Sequence, residues 1–370
     1  MEIKRMKRKF VCTKEMPFND QVDVNEWPEI SEIVVSGYLG GQDLMALSCM
    51  SLCGSLLILD MSGVTELNTD GMDGTIESTP FYNDEKGVEE VYLPNIEKLT
   101  YPMFYNCTNL KRVDFPSSIK HLDAFLAKCP NVEEIYVPED LRIDCDRRFD
   151  SDICFMGSGK RFVSDNEGWP EDLKDIKSNF FAFDGVLYRV PYGGCVTLHR
   201  YPAGNERKDY DIPEGVCDLS EYAFYGNPYL RKVTIPESVK SSEEHPIQNC
   251  ENLETIIFKN KSLRMFSVKD DDYIGWPVGM KGLPRLQDIY LYAEDPDVFC
   301  FDIFDGLENI SDVTLHVPCS CKKLYQNYEV IYYFHDRYGS LCERKEYSFR
   351  KFKSIEEFDP IDFLEELNER

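Results

Sequence analysis

The sequence holds no run of 18 or more apolar residues, so no segment reads as a membrane-spanning helix. Its basic start, Met1 to Lys9, is followed only by Phe10, Val11 and Cys12 before Lys14 and Glu15, too short an apolar stretch for a signal peptide. The expectation is a cytoplasmic protein if this is the full chain, and a cell-surface or secreted one if a leader has been removed. Histidine is sparse: His121, His199, His245, His316 and His335 are scattered, and none forms H-x-x-x-H or H-E-x-x-H. No phosphate loop, dinucleotide fingerprint or G-x-S-x-G elbow occurs. No nucleophile or acid stands beside a positioned partner, so the expectation is a non-enzyme with no catalytic residue, no cofactor and no metal. Positive charge is short as well. The 41 Lys and Arg against 67 Asp and Glu give a net charge of −26, which repels phosphate backbones and anionic lipid. Nucleic acid is thereby excluded as a partner, whereas a basic protein patch is favoured.

The clusters that could carry chemistry read better as structure. Cys319-Ser320-Cys321 lacks a second ligand pair at zinc-site spacing, and Asp270-Asp271-Asp272 with Gly275 lacks the terminal Glu of a calcium loop. Asn106-Cys107-Thr108, Asn260-Lys261-Ser262 and Asn309-Ile310-Ser311 match the glycosylation triplet, a pattern that arises often by chance. The 14 cysteines are diluted over 370 residues and do not make the dense framework of a small secreted domain. Cys49 and Cys53 are four apart, but Cys53 fits a repeat position before Leu56.

What the chain has is repetition. Leu110 to Pro116 (LKRVDFP) recurs as Val88 to Pro94, Val132 to Pro138 and Leu230 to Pro236, with weaker copies at Leu253 to Lys259, Leu286 to Tyr292 and Ile310 to Leu315. Ile30 to Val35 and Leu56 to Met61 are degenerate early copies. The first residues of three consecutive copies fall at 88, 110 and 132, a period of 22. Ile96, Leu99, Phe104, Cys107 and Leu110 align with Ile119, Leu122, Phe125, Cys129 and Val132, and with Val216, Leu219, Phe224, Asn227 and Leu230.

The physics of one unit follows. The apolar fourth and sixth positions of each heptapeptide alternate, which marks a short strand with one buried face, and proline then ends it. The return carries Phe inward, and the small Cys or Asn sits under a tight turn, where Asn hydrogen-bonds the backbone. One unit cannot bury its face alone, so neighbours stack and their strands form a parallel ladder. Cys53, Cys107, Cys129 and Cys250 are expected to be buried free thiols between coils.

These units resemble the BspA-like leucine-rich repeats of bacterial surface-type proteins, in the pattern A-F-x-x-C/N-x-x-L-x-x-V-x-I/L-P seen from Ala124-Phe125 to Pro138 and from Ala223-Phe224 to Pro236. Phe183 to Tyr188 (FDGVLY), Leu198, Tyr201-Pro202 and Ile212 to Val216 (IPEGV) match a hairpin interruption frequent in that family. Val313 to Pro318, Tyr325 and Phe349 through Glu356 look like its closing unit. The resemblance implies a leucine-rich-repeat solenoid: a parallel β ladder on one face, loops and short helical turns on the other, and a β-hairpin interruption. It also implies attachment to other proteins or cells.

The organisation expected is an N-terminal segment at 1–29, the solenoid at 30–357 and an acidic C-terminal tail at 358–370. Insertions interrupt the repeat near 62–86, 141–179 and 269–284. The third and fifth heptapeptide positions project outward from the ladder. They supply Tyr92, Tyr136, Tyr290, Ile257, Asp114, Arg112 and Glu134 as candidate binding residues, with Asp60, Glu90, Thr234, Asp288 and Thr314 in the same columns. Tyr-rich exposed faces suit interfaces. The function expected is a non-catalytic scaffold for protein–protein interaction or adhesion. The alternative is a carbohydrate-binding or cell-envelope structural protein.

Overall fold

The computed structural model describes residues 6–69, 79–99, 103–122, 125–138, 141–143, 153–165, 169, 180–190, 195–265, 279–299, 301–335 and 341–361. The chain forms two compact units, one of residues 1–190 with 202–205, the other of residues 191–201 with 206–370. Asp270–Asp272, Gly275, Cys145, Ala124 and most of the acidic tail lie outside the described residues.

The first unit is a parallel β-solenoid. Its principal ladder runs Met6–Cys12, Ile30–Gly40, Ile58–Asn68, Glu90–Tyr92 and Arg112–Asp114, each strand parallel to the next. The period-2 pleat sends Ile33, Leu59, Val91 and Val113 inward as one registered column, and all four are buried. Each such side chain contributes about 1.5–3 kcal/mol by leaving water. The ladder starts earlier than the repeat suggested, because Met6–Cys12 pairs along the whole of Ile30–Gly37. Segments read as insertions also join the ladders: Phe162–Ser164 pairs with Ile135–Val137, and Phe81–Tyr82 opens a second ladder.

The return path carries more strand than expected. Phe81–Tyr82, Phe104–Tyr105 and Leu126–Ala127 form that second parallel ladder, and Lys98–Leu99, His121–Leu122 and Arg142–Ile143 form a third. After each second-ladder strand one residue turns left-handed: Asn83, Asn106 and Lys128 have φ of 54°, 56° and 53°. Asn tolerates that region because its short amide can hydrogen-bond locally, and here Asn106 donates to Asn83 at 2.7 Å. One coil departs from the pattern. Its return is the helix Gly41–Leu52, with Leu44, Leu47 and Met50 on its buried face. Buried Asp43 accepts the backbone N–H groups of Gly40 and Asn19, pinning the helix start to the preceding loop. This helix overturns the reading of Cys53. The residue ends the helix and is exposed, whereas Cys107, Cys129 and Cys250 are buried thiols as expected. The hairpin Phe180–Phe183 with Val186–Arg189 falls where the sequence placed it, and Trp169 packs edge-on against Phe181, Phe183 and Tyr188.

The second unit repeats the design. Its principal ladder is Asp209–Asp211, Lys232–Ile235, Thr255–Phe258, Asp288–Leu291, Thr314–Pro318 and Ser354–Phe358, all parallel. The inward column is Tyr210, Val233, Ile256, Ile289, Leu315 and Ile355. The last copy is displaced by two residues from its expected alignment, since Ile289 pairs with Leu315 and not with Val313. A slip of two keeps every side chain on its own face, so Val313, Leu315 and Val317 all remain buried. A closing unit follows: Tyr325 is buried against Phe349, with ring centroids 4.9 Å apart, and its hydroxyl donates to the Ala293 carbonyl at 2.7 Å. A disulfide joins Cys195 to Cys217 within this unit.

Candidate interaction surface on the strand ladders

Small polar side chains hold successive coils together. The Cys107 thiol donates to the Phe81 carbonyl of the preceding coil at 3.0 Å. In the matching position Asn227 accepts the N–H groups of Tyr229 and Leu230 at 2.8 and 2.9 Å, the turn-binding role expected of it. A column absent from the sequence reading reinforces these contacts. The amides of Asn109, Asn131 and Asn252, each one residue before a strand-opening apolar residue, donate to Gly87, Thr108 and Pro228 carbonyls at 2.6–2.7 Å. The signal was the recurring N-L or N-V dipeptide at the 22-residue period.

On the outward face of the first unit, Tyr92, Arg112 and Asp114 are brought together. Tyr92 registers with Asp114, and Glu90 with Arg112. The Arg112 guanidinium lies 5.1 Å above the Tyr92 ring and 3.7 Å from the Asp114 carboxylate. The Tyr92 hydroxyl donates to Glu90 at 3.2 Å. Partial burial holds its phenol above the usual pKa, the Glu90 hydrogen bond adds to this, and Arg112 opposes it. Arg112 and Asp114 stay more than half exposed, at 56% and 57% of their side-chain surface. On the separate strand pair Ile135–Val137 with Phe162–Ser164, Tyr136 is half-buried and its hydroxyl donates to Asp165 at 2.8 Å, while Glu134 is ion-paired with Arg161. Both tyrosines are thus braced side chains with part of the ring open.

The outward face of the second unit is less open. Thr234, Ile257, Tyr290, His316 and Glu356 share one outward row. Tyr290 stacks on His316, with centroids 4.1 Å apart and planes within 7°, and His316 Nε2 hydrogen-bonds Asp288 at 2.7 Å. Phe358 meets the Tyr290 ring edge-on at 5.3 Å. The expectation for Ile257 fails: it is fully buried, as is Thr234 nearly, so this half of the row is covered and offers no contact surface. An outward-pointing β-branched side chain beside a large stacked ring adds to covered surface, which the alternation pattern alone does not distinguish from open surface.

A second, half-buried pairing lies on the return side of the first unit. Tyr82 and Tyr105 stack at 5.5 Å, and the Lys128 amine sits 5.0 Å over Tyr105. The repeated F-Y-N tripeptide was its signature. In the second unit a cavity of about 680 Å³ is lined by Asn249, Glu251, Asn252, Arg285, Glu308 and Asp312 among others, at the turn before the strands. No aromatic ring lines it. Among the described residues no group of three His, Cys, Asp or Glu side chains could hold a metal ion, and no helix is long and apolar enough to cross a membrane.

A parallel ladder of short strands, built from coils of about 22 residues with Cys107 or Asn227 under the turn in matching coils, defines a leucine-rich-repeat solenoid. Residues 65–154 and 204–268 match the BspA type leucine-rich repeat region in six copies. The fold is similar to that of a leucine-rich cell surface protein from Faecalibacterium prausnitzii. The match has 18% identity and a TM-score of 0.51, over 91% of this chain and 76% of that one. A leucine-rich repeat protein from Eubacterium ventriosum matches at 17% identity and a TM-score of 0.39, over 79% of this chain and 76% of that one. One from Bacteroides ovatus matches at 14% identity and a TM-score of 0.36, over 81% of this chain and 75% of that one. No curated protein sequence matches the chain.

Proposed function

We propose that the chain is a non-catalytic scaffold that binds a protein partner, in recognition or adhesion, through the outward rows of its principal ladders. The observation that carries this reading is the Tyr92–Arg112–Asp114 group with Tyr136 beside Glu134 and Asp165. Tyr and Arg are the residue types most often found at the energetic centre of protein interfaces. Their rings and guanidinium are already held by neighbours, so few rotors remain to be frozen on binding. A solved structure of similar fold is described as a leucine rich cell surface protein from Faecalibacterium prausnitzii, which supports an adhesive role. The partner favoured is basic, because the net charge is −26 and Glu90, Asp114 and Asp165 edge this surface.

The rival class is a glycan. The stacked Tyr82–Tyr105 pair turns one face of each ring to the other, and the Lys128 amine lies over Tyr105, which leaves less open ring face for a sugar. The experiment that separates the two uses the full chain on a soluble-glycan array and in a protein cross-linking capture from bacterial and host extracts. Saturable protein capture abolished by Tyr92→Ala/Tyr136→Ala supports the proposal. Glycan binding that survives those substitutions, with no saturable protein capture, rejects it.

A further inference from the structure

We propose that Cys107 and Cys129, free thiols in this structure, close into a second inter-coil disulfide, a covalent staple of the first unit, when the chain folds in the presence of a disulfide oxidant. Three observations lead there. The two residues lie 22 apart, one repeat period, and that is also the separation of Cys195 and Cys217, which are joined in the second unit. Each sits two residues beyond a paired strand of the second ladder, Tyr105 opposite Ala127, so they occupy equivalent places on adjacent coils. Adjacent parallel strands run about 4.8 Å apart, inside the roughly 4.4–6.8 Å between Cα atoms that a disulfide spans.

The chemistry needs an oxidant, here a low-molecular-weight disulfide such as oxidised glutathione. A Cys107 or Cys129 thiolate attacks it to give a mixed disulfide and one released thiol, and the second cysteine thiolate then displaces the other. Two protein thiols lose their hydrogens and two electrons, one S–S bond forms, and the reagent leaves as two thiols. Both side chains are fully buried in the folded coil, so this exchange belongs to the stage before the coils close.

The second unit contains its own control. Cys250 occupies the same place in its coil, but the preceding coil has Asn227 there, so Cys250 has no partner in register and stays a thiol.

The test unfolds and reduces the full chain, refolds it in oxidised and reduced glutathione, then quenches with acid, alkylates and maps peptides without reduction. The expected result is a linked Cys107–Cys129 peptide pair beside the Cys195–Cys217 pair, with Cys250 alkylated. Alkylated Cys107 and Cys129 in refolded protein that holds Cys195–Cys217 overturns the proposal, as does either residue linked to a third cysteine. A second measurement uses the Cys195→Ser/Cys217→Ser chain, melted with and without prior oxidative refolding. The staple should raise its melting midpoint by roughly 5–10 °C. An unchanged midpoint overturns the proposal, and so does a rise that persists when Cys107→Ser is added.

Discussion

Tyr290 and His316 stack face to face at 4.1 Å on neighbouring strands of the second unit, with Asp288 holding the imidazole from its far nitrogen at 2.7 Å. The stack exists because the last copy of the repeat is displaced by two residues, which sets His316 and not Thr314 beside Tyr290. His316→Ala should therefore cost about 0.5–1.5 kcal/mol of stability through the lost ring pair. His316→Phe, which keeps a ring but not the hydrogen bond, should recover most of it. Denaturant unfolding of the three proteins checks this, and equal stabilities would show that the stack is incidental.

The Asn column predicts a uniform loss. Asn131→Ala removes the amide that donates to the Thr108 carbonyl at 2.7 Å, and should cost about 0.5–1.5 kcal/mol. Asn109→Ala and Asn252→Ala should behave alike, because their contacts are alike. Chemical denaturation midpoints measured at constant m-value decide the matter.

Gly87 has no room for a side chain. A Cβ there would lie 2.1 Å from Ser51 Oγ and 2.4 Å from the Asp84 carboxylate, both of them buried. That pocket is fixed by backbone donors, since Asp84 accepts from Gly87 and Ser51 accepts from Val88. Gly87→Ala should destabilise the chain by at least about 2 kcal/mol, read as a lowered melting midpoint.

Alkaline pH should loosen the second unit. Burial pushes the Cys250 thiol from 9.0 up to about 12. The folded state therefore holds that proton more tightly than the unfolded state. Its contribution is intact below pH 9 and falls away as pH rises from about 9 towards 12, with a limiting slope of about 1.4 kcal/mol per pH unit. Cys250→Ala should flatten stability against pH over that window relative to the natural chain, whatever it costs at neutral pH. Parallel curves for the two proteins would contradict the assignment.

The ladder and its inward columns were legible because alternation and a 22-residue period report burial directly, as at Val91 and Val113. Asn227, Cys107, Cys129 and Cys250 were legible from their fixed place before a strand. The helix at Gly41–Leu52 was missed because Cys53 mimics the repeat, although Leu44, Leu47 and Met50 carry a helical spacing. The second and third ladders were missed because their strands are two residues long, too short to show alternation. Among the outward residues, position told direction but not cover. Arg112 and Asp114 are open, while Ile257, in the same kind of position, is sealed.

The central claim is that the outward rows bind a protein, and the most direct test is one affinity comparison. With a partner isolated by cross-linking, its Kd is measured by titration calorimetry for the natural chain and for Tyr92→Ala, Tyr136→Ala and Tyr290→Ala, with melting curves confirming that each variant is folded. An anchoring tyrosine should cost on the order of 1–2 kcal/mol, so Kd should rise roughly 5- to 30-fold at Tyr92 or Tyr136. Higher salt should weaken binding through slower association. Unchanged Kd in all three folded variants would contradict the account and place the binding surface off the strand rows.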